Sequence, residues 1–150
     1  MIDYLPALDP GEPKVLFFFH DISDRIEDLD QYTDWLIKVA ELEGKQIHQL
    51  QIIFMSDKEL LEMNRSFLGH DYYTDIITFP LNDDPLMAEL YISLERVKDN
   101  ALKLKVSEKK EVMRVMVHGV LHLCGYRDTR PEEKKEMRER ENYYIRMLEK

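Results

Sequence analysis

Apolar residues recur along this chain at two different spacings, and together the two spacings predict a mixture of strands and helices. Short apolar runs bounded by glycine, proline or polar clusters are typical of buried strands. Four such runs occur, at residues 15–19, 50–55, 76–79 and 87–92. The third run is expected to end at Pro80, and the cluster at 82–85 is expected to turn the chain back as the fourth strand.

Five longer segments carry apolar residues three or four positions apart, which is the spacing of one helical face. The residues of these predicted faces are, in chain order, Tyr32, Trp35, Leu36, Val39 and Leu42; Leu60, Met63, Asn64 and Phe67; Leu94, Val97, Ala101 and Leu104; Val112, Val115 and Met116; and Met137, Tyr144 and Leu148. Serines precede three of the segments, where a hydroxyl oxygen can accept a hydrogen bond from the first helical turn. The expected N-caps are Ser56, Ser93 and Ser107, and the glycines expected to end helices are Gly44, Gly69 and Gly125.

Two of the short strands are joined by a turn near the middle of the chain, and helices are interspersed among the strands. This order predicts an α+β fold in which a small mixed four-stranded sheet is flanked by about five helices. The chain has 150 residues, 44% of them apolar, which is enough for one packed core. We therefore expect residues 1–150 to form a single domain.

The composition narrows the class of protein. The longest apolar run, at 15–19, is far too short to cross a membrane. The first residues lack the basic segment and apolar core of a secretory signal, and a lone cysteine, Cys124, cannot form an internal disulfide. These features fit a protein of a reducing compartment with no membrane partner. The net charge of −9 argues against general coating of nucleic acid but is compatible with a local basic cleft.

Two histidines on the fourth predicted helix have the spacing of a shared metal ion. His118 and His122 are four residues apart, so a helix places both imidazoles on one face. Gly125 is expected to end this helix, and the turn after it can return Asp128 to the same face. A histidine pair alone is more often an ordinary surface or core feature, but the glycine and the carboxylate favour a metal site. Three protein ligands leave one coordination position open, as in hydrolytic zinc sites.

The donor set favours zinc, although a carboxylate ligand also admits manganese, nickel or iron. A divalent ion held in this way can polarise a carbonyl or phosphoryl group and acidify a bound water. The His-x3-His-x5-Asp spacing resembles that of the metzincin proteases, which carry a glutamate directly after the first histidine as general base. Gly119 occupies that position and cannot accept a proton. The missing glutamate therefore argues against a protease.

Residues 118–128 resemble the YbeY family of bacterial metal-dependent, single-strand-specific endoribonucleases. The family pattern is His-Gly-x-Leu-His-Leu-x-Gly-Tyr-Asp-His, and in this chain Arg127 replaces the aspartate and Asp128 replaces the third histidine ligand. The residues that match the pattern are His118, Gly119, Leu121, His122, Leu123, Gly125 and Tyr126. The resemblance covers about residues 50–145, and its further matches are Asn64, Gly69, Asp71, Thr74, Asp75, Phe79, Pro80, the segment 92–95 and Glu141.

This resemblance implies a zinc-dependent, cytoplasmic endoribonuclease that acts in ribosomal RNA maturation and ribosome quality control. Its partners would be single-stranded RNA, ribosomal RNA or ribosomal particles. The catalytic and metal-binding residues would be His118, His122 and Asp128. Leu68 stands where the family usually has an arginine, and the nearest replacements are Arg65 and His70.

Three questions stay open from the sequence. Asp75 and Glu89 are candidates for a general base, because both are expected near strand ends. Basic residues flank the metal motif and could bind an RNA backbone or simply form solvated helix faces: Lys105, Lys109, Lys110 and Arg114 before it, and Arg127, Arg130, Lys134 and Lys135 after it. The alternatives to a ribonuclease are a zinc hydrolase of another substrate and a non-catalytic ribosome-assembly factor with a structural metal.

Overall fold

A mixed sheet of four strands lies at the centre of residues 11–149, the part of the chain that a computed structural model describes. The elements are β1 (Lys14–Phe19), α1 (Gln31–Leu42), β2 (Ile47–Met55), α2 (Asp57–Leu68), β3 (Ile76–Asn82), β4 (Leu86–Ser93), α3 (Leu94–Leu104), α4 (Glu108–Leu123) and α5 (Pro131–Glu149). Four strands and five helices within these residues confirm the predicted α+β fold. The irregular segment predicted at 6–13 lies mostly outside the described residues.

The strand order is β1-β2-β4-β3, and the pairing explains the mixed character of the sheet. β1, β2 and β4 run parallel, whereas β3 is antiparallel to β4 and forms one edge. Alternate residues of a strand face opposite sides of a sheet. Leu90 and Ile92 of β4 therefore face the main core, to which α1, α4 and α5 contribute, while Tyr91 faces a smaller cluster with Leu60 of α2.

The helix boundaries follow the predicted caps. The hydroxyl oxygens of Ser56, Ser93 and Ser107 accept hydrogen bonds from the backbone N–H three residues later, at 3.0–3.1 Å. Gly69 and Gly125 follow α2 and α4 with positive φ angles of 69° and 105°, which glycine adopts without steric cost. Both the starts and the ends of these helices are therefore set by local chemistry that the sequence displays.

Two details of the predicted elements were wrong. β3 does not end at Pro80 but continues to Asn82. β3 is an edge strand, and a proline there removes no hydrogen bond that the sheet needs. Residues at the ends of three predicted apolar faces are exposed rather than buried, because those helix ends extend past the core: Leu42 (49% exposed), Phe67 (69%) and Leu104 (46%).

α4 crosses the sheet at very short range, and Gly119 permits this approach. A β-carbon at position 119 would lie 2.8 Å from Ile76 Cδ1 and 2.9 Å from Leu90 Cδ1, closer than carbon atoms pack. The glycine thereby brings the histidines on either side of it close to the start of β3. Within the described residues, no helix combines the length and the apolar character needed to span a bilayer.

Candidate metal centre and active site

The structure brings the three predicted ligands together. His118 and His122 lie one turn apart on α4, with ring centroids 4.5 Å apart. The carboxylate of Asp128 reaches both rings: Oδ2 is 3.2 Å from His118 Nε2, and Oδ1 is 3.5 Å from His122 Nε2. One ligand atom from each residue lies within 4.8 Å of the others, so a single ion can contact all three.

The turn after α4 places Asp128. The helix ends at Leu123, and Gly125 then turns the backbone so that the N–H of Tyr126 donates to the Leu121 carbonyl at 3.0 Å. Tyr126 also donates its phenol hydroxyl to Glu43, at the end of α1, at 2.9 Å. The turn is therefore fixed from two sides, which delivers the carboxylate of Asp128 to the histidine face of α4.

The hydrogen bonds of the ring Nδ1 atoms determine which nitrogen faces the site. His122 Nδ1 lies 2.9 Å from the carbonyl oxygen of Tyr126, which can only accept, so Nδ1 carries the proton. His118 Nδ1 lies 2.6 Å from Glu141 Oε2. In the neutral rings both Nε2 atoms, which face Asp128, would therefore carry the lone pairs, as in metal-binding histidines whose other ring nitrogen is held by a carboxylate or a carbonyl.

These donors fit a divalent cation. In a tetrahedral site with bonds of about 2.0–2.1 Å, neighbouring ligand atoms lie about 3.3–3.4 Å apart. The shortest separations between the two Nε2 atoms and the Asp128 carboxylate are close to this value, 3.2 Å from His118 to Oδ2 and 3.5 Å from His122 to Oδ1, with each histidine facing a different oxygen. Two imidazoles and one carboxylate would leave a fourth position for a water or a substrate oxygen.

A buried network of charges orients His118. Glu141 of α5 accepts from His118 through Oε2 and, through Oε1, from Arg114 at 3.2 Å. Arg114 in turn donates to Glu111 at 3.0 Å, and the side chains of Glu111 and Glu141 are only 3% and 4% exposed. Arg114 therefore neutralises part of the charge of two buried carboxylates. The sequence suggested that Arg114 belongs to a surface basic patch, but its side chain is only 11% exposed.

The acidic surroundings also change the pKa of His118. Burial alone would lower the pKa of this imidazole. The hydrogen bond from its ring to Glu141, together with the charges of Glu141, Asp128 and Asp75, outweighs burial and raises the pKa of His118 above its ordinary value.

Of the two candidate general bases, the structure places only Asp75 at the site. Asp75 lines the same cavities as His118 and Asp128, and its Oδ2 accepts a hydrogen bond from Asn100 at 3.2 Å. Burial raises the pKa of Asp75, and the nearby His118 opposes this shift. Glu89 is wrong as a candidate, because it lies on the sheet face opposite Leu90 and accepts a hydrogen bond from Tyr91.

Two grooves meet at the candidate centre and share Asp75, Ile76, His118 and Asp128. The first, of about 570 Å³, is called here the aromatic groove; its other walls include Asn64, Leu68, His70, Tyr72 and Thr74. The second, of about 450 Å³, is called the basic groove after the four cationic side chains in its other walls, Lys103, Arg114, Lys134 and Arg138; the carboxylates of Glu111 and Glu141 line it as well. The centre therefore lies between an aromatic surface and one where cationic side chains stand among carboxylates.

The structure places the two residues considered as replacements for the family arginine in different surroundings. Leu68 itself lines the aromatic groove. Arg65 binds Asp71 and Glu62 and is not among the residues lining that groove, whereas His70 is. Spacing did not identify His70 or Tyr72 as part of the site, because both lie in the loop between α2 and β3, where neither helical nor strand periodicity applies.

The remaining cysteine and histidines lie outside the centre, and His20 forms, with Asp21 and Glu59, a second and mostly exposed group that could hold a metal ion. Burial raises the pKa of the Cys124 thiol to about 11, so it is not a reactive thiolate at neutral pH. His20 lies near Asp21 and Glu59, at 3.5 and 3.4 Å, on an exposed surface. His48 lies in β2, on a strand distant in sequence from the metal motif.

The chain is an α+β protein in which two histidines and one carboxylate, on a helix and its following turn, could hold a metal ion. Metal-dependent hydrolases use donor sets of this kind. Comparison with known proteins identifies the family. A family model described as Endoribonuclease YbeY matches residues 20–149, and the chain belongs to the YbeY family.

Individual relatives agree with this assignment. The chain is 42% identical over 133 residues to a Cytophaga hutchinsonii protein named Endoribonuclease YbeY, covering 87% of this chain and 93% of that protein. It is 44% identical over 116 residues to the protein of the same name from Bacteroides thetaiotaomicron, covering 77% and 85%. The solution structure of TM1509 from Thermotoga maritima matches with a TM-score of 0.62 at 26% identity, covering 90% of this chain and 89% of that one.

Proposed function

We propose that this chain is a divalent-metal-dependent endoribonuclease that cleaves single-stranded RNA, with ribosomal RNA or ribosomal particles as its cellular target in RNA maturation and ribosome quality control. One observation carries the proposal. His118, His122 and Asp128 converge, with both Nδ1 atoms held by other groups, at a point where an aromatic and a basic groove meet. The names of the relatives supply the reaction class.

His118 Nε2, His122 Nε2 and an oxygen of Asp128 would hold the ion, and this donor set favours zinc over manganese, nickel or iron. When bound, a divalent ion supplies Lewis-acid stabilisation of the negative charge that develops on a phosphoryl oxygen. Glu141 and the Tyr126 carbonyl keep the two imidazoles in the orientation and tautomer required for binding.

Asp75 is the residue we assign to accept the proton of the attacking hydroxyl, which is either a water or a ribose 2′-hydroxyl. Its carboxylate lies in both grooves beside His118, and its raised pKa brings it nearer to the operating pH, as general-base catalysis favours. Lys134 of the basic groove would bind a phosphate, because RNA-backbone contacts are made mainly by cationic side chains. Lys103 would do so by exchanging its ion pair with Asp99, at 3.1 Å, for the phosphate.

The structure adds to the argument against a protease. A glutamate at position 119 would start with a β-carbon only 2.8 Å from Ile76, so the packing of α4 on the sheet leaves no space for the missing base. The non-catalytic alternative is an assembly factor in which the metal only fixes the turn before α5. That alternative predicts a bound metal without cleavage.

The decisive experiment compares cleavage of labelled single-stranded RNA by the purified protein and by His118→Ala, with added zinc and with a chelator. His20→Ala is the matched control, since it removes an exposed histidine outside the centre. We expect cleavage that needs both the metal and His118 and is unaffected by His20→Ala. Equal cleavage by wild type and His118→Ala, or metal binding without any cleavage, would contradict the proposed activity.

A further inference from the structure

Two aromatic rings of the α2–β3 loop stack on each other in the wall of the aromatic groove. The rings of His70 and Tyr72 have centroids 5.1 Å apart and planes inclined by 17°. The Tyr72 hydroxyl also lies 2.9 Å from His70 Nδ1. Both residues line the groove that contains His118 and Asp128, so the stacked pair borders the candidate centre.

The loop that carries these rings is held in place by polar contacts. Asn64, only 1% exposed, donates from its side-chain amide to the Tyr72 carbonyl at 2.8 Å and accepts, at its backbone carbonyl, from the N–H of His70 at 3.0 Å. Asp71, which lies between His70 and Tyr72 in the sequence, forms an ion pair with Arg65. The pair is therefore presented on an ordered loop, which lowers the entropy cost of binding a ligand.

The pair exposes a large aromatic surface that the core does not use. Tyr72 is 56% exposed, although burying a tyrosine ring is favourable. Neither a lysine nor an arginine is among the described residues that line this groove, and Leu68 is uncharged, so the wall offers a phosphate no permanently charged side chain. Flat aromatic surfaces in grooves that bind single-stranded nucleic acid stack on unpaired bases, and every base has a suitable face.

We propose that the His70–Tyr72 pair is a stacking platform for an unpaired nucleobase of the RNA strand, while the basic groove on the other side of the centre contacts its phosphates. This inference rests on the proposed function, because it takes single-stranded RNA as the substrate. The platform makes the site selective for unpaired strands, since bases within a duplex are stacked on their neighbours and cannot reach the rings.

The adjacent residue provides a matched control. Tyr73 is 54% exposed, almost the same as Tyr72, but it is not among the residues that line the aromatic groove. Its ring instead lies under the guanidinium of Arg96, 5.2 Å from the ring centroid. The substitutions Tyr72→Ala and Tyr73→Ala therefore remove equal side chains from one loop, and only the first removes part of the platform.

The test measures binding of a short fluorescent RNA to the full chain as purified. Binding is measured in the cold, gels verify that the RNA stays intact, and the measurement is repeated after a chelator is added. Three probes are used: a single strand, an abasic strand of equal length and charge, and a duplex. We expect Tyr72→Ala to weaken binding of the single strand by roughly 5- to 100-fold. Binding of the other two probes should not change.

Two further substitutions of Tyr72 separate the contribution of ring stacking from that of side-chain size. Tyr72→Trp should retain binding and show quenching of its indole fluorescence by the single strand, whereas Tyr72→Leu should bind as weakly as Tyr72→Ala. Equal effects of Tyr72→Ala and Tyr73→Ala, or an equal loss with the abasic strand, would overturn the platform. Cleavage that needs His118 but not Tyr72 would refute the stacking platform and leave the proposed nuclease activity intact. Base-dependent RNA binding without cleavage would refute the nuclease activity and leave the platform intact.

Discussion

The substitution Glu141→Gln is the sharpest test of how the buried charge network positions His118. Glu141 uses both oxygens, Oε1 towards Arg114 and Oε2 towards the Nδ1–H of His118. Glutamine keeps the size of the side chain but offers one oxygen and one NH2 group. The amide oxygen should stay with the guanidinium, because hydrogen bonds to a charged donor are the stronger ones. The NH2 group then faces His118 Nδ1.

This arrangement would reverse the tautomer of His118. A neutral ring that accepts at Nδ1 carries its proton at Nε2, the nitrogen that must bind the metal. Loss of such an orienting partner typically weakens metal binding by about 10- to 100-fold, which corresponds to about 1.4–2.8 kcal/mol. The stability of the metal-free protein should change by less than about 1 kcal/mol, since every buried polar atom still has a partner.

Two measurements check the argument at a pH above the raised pKa of His118, where the ring is neutral. Competition with a chelating indicator gives the zinc affinity, and nitrogen NMR of the ring in metal-free protein reports which nitrogen carries the proton. Glu139→Gln is the control, because it makes the same change at an exposed position of α5. A zinc affinity within twofold of wild type, with the proton still at Nδ1, would refute the reasoning.

Three further substitutions test other parts of the site. Arg114→Met leaves Glu111 and Glu141 buried without their shared cation and should destabilise the fold by about 3–5 kcal/mol in urea unfolding. Asp75→Asn should lower kcat by about 10²- to 10⁴-fold at unchanged metal content. It should also raise Tm at neutral pH. Folding raises the pKa of Asp75, so the ionised carboxylate destabilises the folded protein above that pKa, and asparagine removes this cost. Gly119→Ala should cost about 1–3 kcal/mol through overpacking against Ile76 and Leu90, seen as a lower Tm.

Each of these expectations has its own control. Arg146→Met removes an exposed arginine of α5 and should leave urea unfolding unchanged. A lower Tm for Asp75→Asn would show that its carboxylate stabilises the fold, and an unchanged kcat would remove it as the base. A Gly119→Ala protein as stable as wild type would mean that the Leu90 and Ile76 methyl groups move aside at little cost.

Local signals in the sequence were sufficient to predict the fold class and several helix ends. The serine caps and the glycine ends depend on hydrogen bonds within a few residues, so Ser107 and Gly125 could be placed without any tertiary information. The periodicity of Val112, Val115 and Met116 identified the buried face of α4, and all three are buried. The same spacing brought His118 and His122 together, because helix geometry fixes their separation.

Contacts between distant elements could not be predicted in this way. Arg114 was interpreted as a surface cation because the sequence does not show that α5 covers it with Glu141. Glu89 was considered a base because the sequence places it near the end of a strand but does not show which face of the sheet its side chain occupies. His70 and Tyr72 follow no periodic pattern, and their place beside the centre depends on the path of a loop held by Asn64.

The junction of the two grooves has a consequence for the products of the reaction. Both grooves contain Asp75 and Asp128, and they extend from the centre along different neighbours, His70 in one and Lys134 in the other. A strand that occupies both grooves enters past one set of residues and leaves past the other, so neither of its termini has to reach the ion. Circular RNA should therefore be opened as readily as a linear strand of the same sequence, and the first cut in a long strand should yield two fragments rather than single nucleotides.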